Sequence, residues 1–428
     1  MSKFFLITYG CKLNQADSEI MRTLLLNNKF KESSLAEADF VIINTCGVVE
    51  KTEIKIFKKA EELKKAGKKI ILTGCLIAIS PKECLKIADA VLGTSNLDSV
   101  VEAAKNILKN KKFQAIENQK IDKSLFLKKS QPDFKNVSAV VAIAEGCLGN
   151  CTYCASKLAR KKLQSFSIEN IINEIKTNLE SGFKEIQLTS QDLIIYGLDQ
   201  KKYLLPDLME KIEKIENDFK VKLGMMNPGY AKMIFDDLLI KLESKKFYKF
   251  LHLPIQSGSN KVLKQMKRGY QAEDFVLLAK KFKKKFPQGV LATDIIIGHP
   301  SETEEDFAKT TMIIKKIKPD VLHIFKYSRR KNTEDFSLPD YPDRIKKERS
   351  RILTKIFKDY NFQKNKKFLK TKQNVLIIQK NQDGYLARND FGRAIVLKNG
   401  KLGEKITVKI IGYKWNYLIG ESLEKKKK

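Results

Sequence analysis

The sequence predicts an α/β protein in three parts: a doubly wound parallel-sheet N-terminal domain, a partial (β/α)6 barrel, and a small C-terminal β-barrel. Three observations carry that expectation. Short apolar runs alternate with helical periodicity as far as residue 325, which is the signature of parallel sheets joined by helices. After residue 373 the pattern changes to short strands separated by turn residues. The chain has 428 residues, room for two to four domains of roughly 100–200 residues each.

The elements follow in order. Residues 4–8, 40–44 and 69–73 read as strands, with helical patterns at 16–27 and 52–66 between them. From 137 to 325 the alternation repeats six times. Strands are expected at 137–143, 185–189, 221–225, 249–253, 290–297 and 321–325, and helices include 168–179, 204–215, 232–242, 272–284 and 304–317. Six such units make three quarters of a full barrel, whose chemistry gathers at the C-terminal strand ends. Residues 344–370 read as a basic helix, with 11 Lys or Arg against Glu348 and Asp359. Strands at 375–379, 385–388, 394–397, 405–411 and 417–420, with turns at Asp383-Gly384 and Asn399-Gly400, fit a small barrel. The expected division is 1–112, a linker at 113–134, 135–342, the helix at 343–370, 371–424, and a tail of lysines at 425–428.

Charge narrows the class of partner. Lys and Arg number 82 against 50 Asp and Glu, a net charge of +32. A hydrophobic content of 43% rules out a disordered polycation. An excess of that size calls for an anionic partner, nucleic acid first and a membrane surface second. No run reaches the ~18 apolar residues of a membrane helix, and the first ten residues are too short a stretch for a secretory signal. A cytoplasmic protein is expected. The C-terminal barrel carries Tyr413, Trp415 and Tyr417, which serve either as RNA-stacking platforms or as core.

The seven cysteines carry the chemistry. An odd number in a chain of this kind argues for metal or redox work over a disulfide framework. Cys147, Cys151 and Cys154 form C-x3-C-x2-C among Gly146, Gly149 and Asn150. Zinc would bring a fourth ligand at short spacing, and none follows. Three thiolates on a four-iron cluster leave one iron open. Cys11, Cys46 and Cys75 each fall just past a strand's C-terminal end, where open α/β sheets bind ligands, and a second three-thiolate site is expected there. Cys84 reads as a core residue in the helix at 82–88. His252, His299 and His323 read as packing or hydrogen-bonding residues. Further polar signals at strand ends are Thr189-Ser190-Gln191-Asp192, Gln256-Ser257-Gly258 and Thr293-Asp294 with Gly298.

These motifs together resemble the radical S-adenosylmethionine (SAM) methylthiotransferases over nearly the whole chain. Gly10 to Glu19 resembles the family's opening motif. Asn44-Thr45-Cys46 and Thr73-Gly74-Cys75 resemble its second and third cysteine motifs, C-x3-C-x2-C is the radical SAM signature, and the last domain resembles the RNA-binding TRAM domain. Leu223 to Pro228, Phe250 to Ser259, Met266-Lys267-Arg268 with Tyr270, and Thr293 to Gly298 resemble the archaeal and eukaryotic branch. That branch converts N6-threonylcarbamoyladenosine beside the tRNA anticodon to its 2-methylthio form.

The resemblance implies two [4Fe–4S] clusters, one on Cys147, Cys151 and Cys154 that binds and cleaves SAM, the other an auxiliary cluster on Cys11, Cys46 and Cys75 that holds the transferred sulfur. Adenine C2–H is not acidic, so a radical replaces a side-chain base. Ser190, Gln191, Gln256 and Asp294 are candidates for holding SAM, and Arg160 with Lys157 for holding the threonyl carboxylate or a phosphate. The expected partners are tRNA, a flavodoxin- or ferredoxin-like electron donor and an unidentified sulfur donor, with no membrane. Two stretches depart from the family: His299-Pro300-Ser301-Glu302-Thr303 stands for Phe-Pro-Gly-Glu-Thr, and Ser328 to Thr333 replaces a Pro- and Gly-containing loop. The alternatives are a methylthiotransferase acting on isopentenyladenosine in tRNA or on a ribosomal-protein aspartate, and a catalytically inactive RNA-binding iron–sulfur protein.

Overall fold

Apolar β-branched runs such as Phe40–Thr45 are buried at every position, as strands covered by helices on both faces must be. In the computed structural model, which describes residues 1–116, 122–126 and 135–423, this strand sits inside a six-stranded sheet. The order is Lys31–Glu32, Lys3–Thr8, Phe40–Thr45, Lys69–Gly74, Ala90–Leu92, Phe113–Ala115, and every pairing is parallel. Side chains alternate between the faces. Phe40 and Ile42 join the core under helices Lys12–Asn27 and Val100–Leu108. Val41 and Ile43 join the opposite core, with Ala60 of helix Glu50–Lys65 and the fully buried Cys84. The doubly wound sheet is as expected.

The chain forms two compact units that do not follow sequence order. The first comprises Met1–Ser130, Ala142–Glu174 and Ser328–Leu338, and the second Gln131–Val141, Ile175–Tyr327 and Pro339–Lys428. The C-x3-C-x2-C segment therefore belongs with the N-terminal sheet, where the division expected from sequence put it with the barrel. The reason is packing: Ala155 and Leu158, just past that motif, lie in the sheet's second core. The described residues of the expected linker, 113–116 and 122–126, also fall in this unit. Phe113–Ala115 is its sixth strand, and the turn Lys123–Leu125 brings Lys123 inside; positions 117–121 and 127–134 lie outside the described residues.

In the second unit, strands Lys220–Leu223, Glu185–Thr189 and Ser138–Ala142 form one three-stranded sheet, and Phe250–His252, Val290–Ile297 and Val321–Lys326 another. Parallel bridges Val221 to Phe247 and Met225 to His252 join the two, so the six expected strands run in sequence order as a partial barrel. The basic helix is Asp343–Lys366, ending four residues before the end of the 344–370 expected. Beyond it Lys370 turns left-handed (φ 67°) and its N–H donates to Ile410 O, leading the chain into the small barrel. Strands Lys372–Asn381, Gly384–Asn389, Ala394–Leu397, Leu418–Ser422 and Lys405–Tyr413 close into the small barrel. Two of its aromatics are docking residues. Trp415 meets Phe357 edge-on at 5.5 Å and Tyr413 meets Phe362 at 4.8 Å, while Asn365 Nδ2 donates to Lys414 O at 2.8 Å. Both rings press on the helix, the packing use of the two left open by sequence. Tyr417 is half-buried, and the lysines at 425–428 lie outside the described residues.

Candidate functional site

The first unit gathers Cys11 and Cys75 round one side chain, Asn14, with Cys46 beside Gly10. Each cysteine sits at or just past the end of a strand, Lys3–Thr8, Phe40–Thr45 or Lys69–Gly74. Asn14, buried on the first turn of helix Lys12–Asn27, is fixed by donating to Tyr9 O and Thr45 O, both at 2.9 Å. Its Oδ1 lies 3.8 Å from Cys11 Sγ and 3.9 Å from Cys75 Sγ. A Cβ on Gly10 would stand 3.3 Å from Cys46 Sγ, and one on Gly74 would meet the Thr45 backbone at 2.5 Å; with φ of 109° and 95° both positions suit glycine. Burial pushes the Cys75 thiol up to about 11, against the pull of Arg160, and burial raises Cys46 as well. Cys11 stands at the N-cap position of a 16-residue helix.

Behind these thiols lies a closed ion-pair network. Arg160 is 3% exposed. Its Nη1 donates to Glu145 Oε1 at 2.7 Å, and its Nη2 donates to Asn14 Oδ1 at 2.9 Å and to Asp17. Lys123 Nζ reaches Asp17 Oδ1 at 3.0 Å and Glu145 Oε2 at 2.7 Å. Burial opposes ionisation of Asp17, but Arg160 and Lys123 together hold its carboxyl below the usual range. The expectation that Arg160 faces substrate is corrected here, because its guanidinium is turned into the protein and both terminal nitrogens are engaged. Lys157 pairs with Asn150 Oδ1 within the second cysteine loop.

That second loop is anchored on several sides. Gly149 N–H donates to Cys147 Sγ at 3.2 Å, and a Cβ on Gly149 would stand 3.4 Å from Cys147 Sγ and 3.6 Å from Cys151 Sγ. Thr152 Oγ1 donates to Asp335 Oδ2 at 2.8 Å. Gly146 (φ 83°) passes so close to Lys162 O that a side chain would collide with it. Cys147, Cys151 and Cys154 remain partly accessible. Both sets offer three sulfurs, which suits a cluster with one open iron.

The departures from the family pattern serve packing. Arg330 pairs with Glu53 and Lys331 Nζ with Glu83 at 3.0 Å. In the second unit, buried His299 meets the Tyr327 ring edge-on at 5.3 Å. Glu302 Oε2 accepts from Gly298 N at 2.7 Å and Arg349 Nη1 at 2.6 Å.

The remaining candidates lie in that unit too. Ser190 Oγ, Gln256 Oε1 and Asp192 Oδ2 are buried without a hydrogen-bond partner among the described residues, which is how polar groups awaiting a ligand look. Gln256 is held left-handed at φ 67°, a conformation sustained only where surroundings impose it. Gln191 is partly accessible. Asp192 was singled out from sequence only as part of a strand-end signal; burial pushes its carboxyl up to about 7, with Asn227 N and Arg268 opposing. Asp294 Oδ1 accepts from His252 Nε2 at 2.8 Å and from His323 Nδ1 at 2.7 Å, so these histidines are hydrogen-bonding residues. Sequence reasoning missed Asp17, Lys123 and Glu145 as working residues. Asp17 stood inside the quoted opening motif at i+3 from Asn14, but Lys123 had no signal in a lysine-rich segment.

Comparison with known proteins follows from this geometry. Residues 3–93 match the uncharacterized protein family UPF0004, and residues 141–312 match the radical SAM superfamily. An Archaeoglobus fulgidus protein named "Probable threonylcarbamoyladenosine tRNA methylthiotransferase" is 45% identical over 97% of each chain. The human threonylcarbamoyladenosine tRNA methylthiotransferase is 30% identical over 96% of this chain and 72% of its own. In fold, the chain is similar to the radical SAM methyltransferase TsrM from Kitasatospora setae, with TM-score 0.59 at 12% identity over 78% of this chain and 77% of that one. With both cysteine sets in place and likeness along nearly its full length, the chain belongs to the radical SAM methylthiotransferases, in the family of these threonylcarbamoyladenosine enzymes.

Proposed function

We propose that this enzyme converts N6-threonylcarbamoyladenosine in tRNA to its 2-methylthio derivative, replacing adenine C2–H by C–S–CH3. The carrying observation is the 45% identity over 97% of the chain to a protein named for that substrate. Its cofactors are [4Fe–4S] clusters and SAM. We assign Cys147, Cys151 and Cys154 to the cluster that binds SAM, and Cys11, Cys46 and Cys75 to the auxiliary one. When bound, these groups supply the radical that activates C2 and the sulfur that is transferred.

The chain's own residues prepare the two sites. Asn14 fixes the spacing of Cys11 and Cys75 by holding the backbone at Tyr9 and Thr45. Gly10 and Gly74 let the strand ends turn sharply into the thiols. Ser190, Gln191, Gln256 and Asp294 are assigned to SAM, the two orphaned oxygens among them offering hydrogen-bond capacity that a bound ligand would use. A surplus of 32 positive charges favours binding to the tRNA backbone. No described helix is long and apolar enough to cross a membrane, and we place the enzyme in the cytoplasm with a small flavodoxin- or ferredoxin-like electron donor.

The test is mass spectrometry of tRNA nucleosides from a host that makes threonylcarbamoyladenosine but lacks its own methylthiotransferases. The 2-methylthio derivative is expected with wild type and not with Cys154→Ala. Its absence from wild type that carries both clusters would reject the substrate.

A further inference from the structure

Arg160 links the segments that carry the two cysteine sets within the chain's first unit. It stands six residues past Cys154 and is bonded to Glu145, two residues before Cys147, so its ion pair spans the C-x3-C-x2-C loop. Its other end reaches Asn14, whose Oδ1 also lies within 4 Å of Cys11 and Cys75 sulfurs. The guanidinium attracts the Cys75 and Cys46 thiols electrostatically, and its Nε is a buried donor without a partner among the described residues.

The charges in this pocket balance. Arg160 and Lys123 are paired with Asp17 and Glu145, two cations against two anions. Three thiolates beside them would add negative charge, and Cys75, Arg160, Lys123 and Asp17 are all buried from solvent. In such surroundings one unit of charge acts strongly on any electron added nearby, since screening is weak. The potential of an iron–sulfur cluster follows local net charge, hydrogen bonds to sulfur and solvent exposure.

We infer that Arg160 is a positioning residue whose buried charge raises the reduction potential of the group held by Cys11, Cys46 and Cys75, while its pair with Glu145 fastens the SAM-binding loop to that site. This rests on the proposed assignment of the three thiols to the auxiliary cluster. A role in structure alone would not make opposite charge changes act in opposite directions.

The experiment is potentiometric EPR on full-length protein in a Cys147→Ala, Cys151→Ala, Cys154→Ala background, reconstituted with iron and sulfide, so that only the auxiliary cluster reports. Arg160→Gln is expected to lower its midpoint potential. Asp17→Asn and Glu145→Gln are expected to raise it, and Arg160→Lys to leave it near that of the parent. Unshifted potentials, or shifts of one sign for all charge changes, overturn the inference. Should Arg160→Gln fail to fold, the partly exposed Glu145→Gln decides: no upward shift overturns the inference. A parent background without iron and sulfide overturns the assignment of the thiols, and the inference with it.

Discussion

Replacing Asp294 with Asn removes a charge and leaves the shape. Burial opposes ionisation of this carboxyl, yet hydrogen bonds from His252 and His323 bring it from 3.8 to about 2. Converted at about 1.36 kcal/mol per pH unit, the difference is about 2.4 kcal/mol of stability for the folded state. The sign follows from the depressed value: the contribution is present above pH 3.8 and is lost as pH falls through 2, leaving about 1.3 kcal/mol at pH 3. Trp415 is the only tryptophan and belongs to the same compact unit as Asp294, so its fluorescence reports unfolding there. Urea titrations of wild type and Asp294→Asn should differ by about 2.4 kcal/mol at pH 7 and by about half that at pH 3. A difference below about 1 kcal/mol at pH 7, or one that grows toward acid, would refute the account of the His252–Asp294–His323 cluster.

Two further outcomes follow from the same kind of reasoning. Asp320 accepts from Arg393 at 2.8 Å, Lys364 at 2.6 Å and Leu291 N at 3.0 Å, and is paired with Lys283 as well; Asp320→Asn strands three cations and should cost about 3–5 kcal/mol, read as an earlier Trp415 transition in urea. Gly74→Ala puts a methyl against the Thr45 backbone at a left-handed position, at a cost of about 2–5 kcal/mol. By displacing Cys75 it should also lower iron and sulfide content after reconstitution, while Gly67→Ala, where a Cβ meets nothing within 4 Å, leaves that content unchanged.

The sequence by itself determined the elements and the thiols. Runs such as Phe40–Thr45 can only be covered strands, and a cysteine past each of three strand ends is placed by topology, because every parallel strand delivers its C-terminus to the same edge. The closed five-stranded barrel was legible for a similar reason, since its turns are marked by Asp383-Gly384 and Asn399-Gly400. What only the tertiary structure decided was pairing across long separations. Arg160 read, with Lys157, as a residue for the threonyl carboxylate or a phosphate, and it is buried because Asp17, 143 positions away, supplies its counter-charge. Lys123 is set apart from its neighbours in a lysine-rich stretch by one fact, that the chain folds it onto Asp17 and Glu145. Trp415 and Tyr413 likewise turn to the helix Asp343–Lys366 and not to solvent. Local pattern encodes periodicity and burial, which act over a few residues. The partner of a charge or a ring is fixed by the closed fold, where desolvation makes each unpaired group costly and so selects one arrangement.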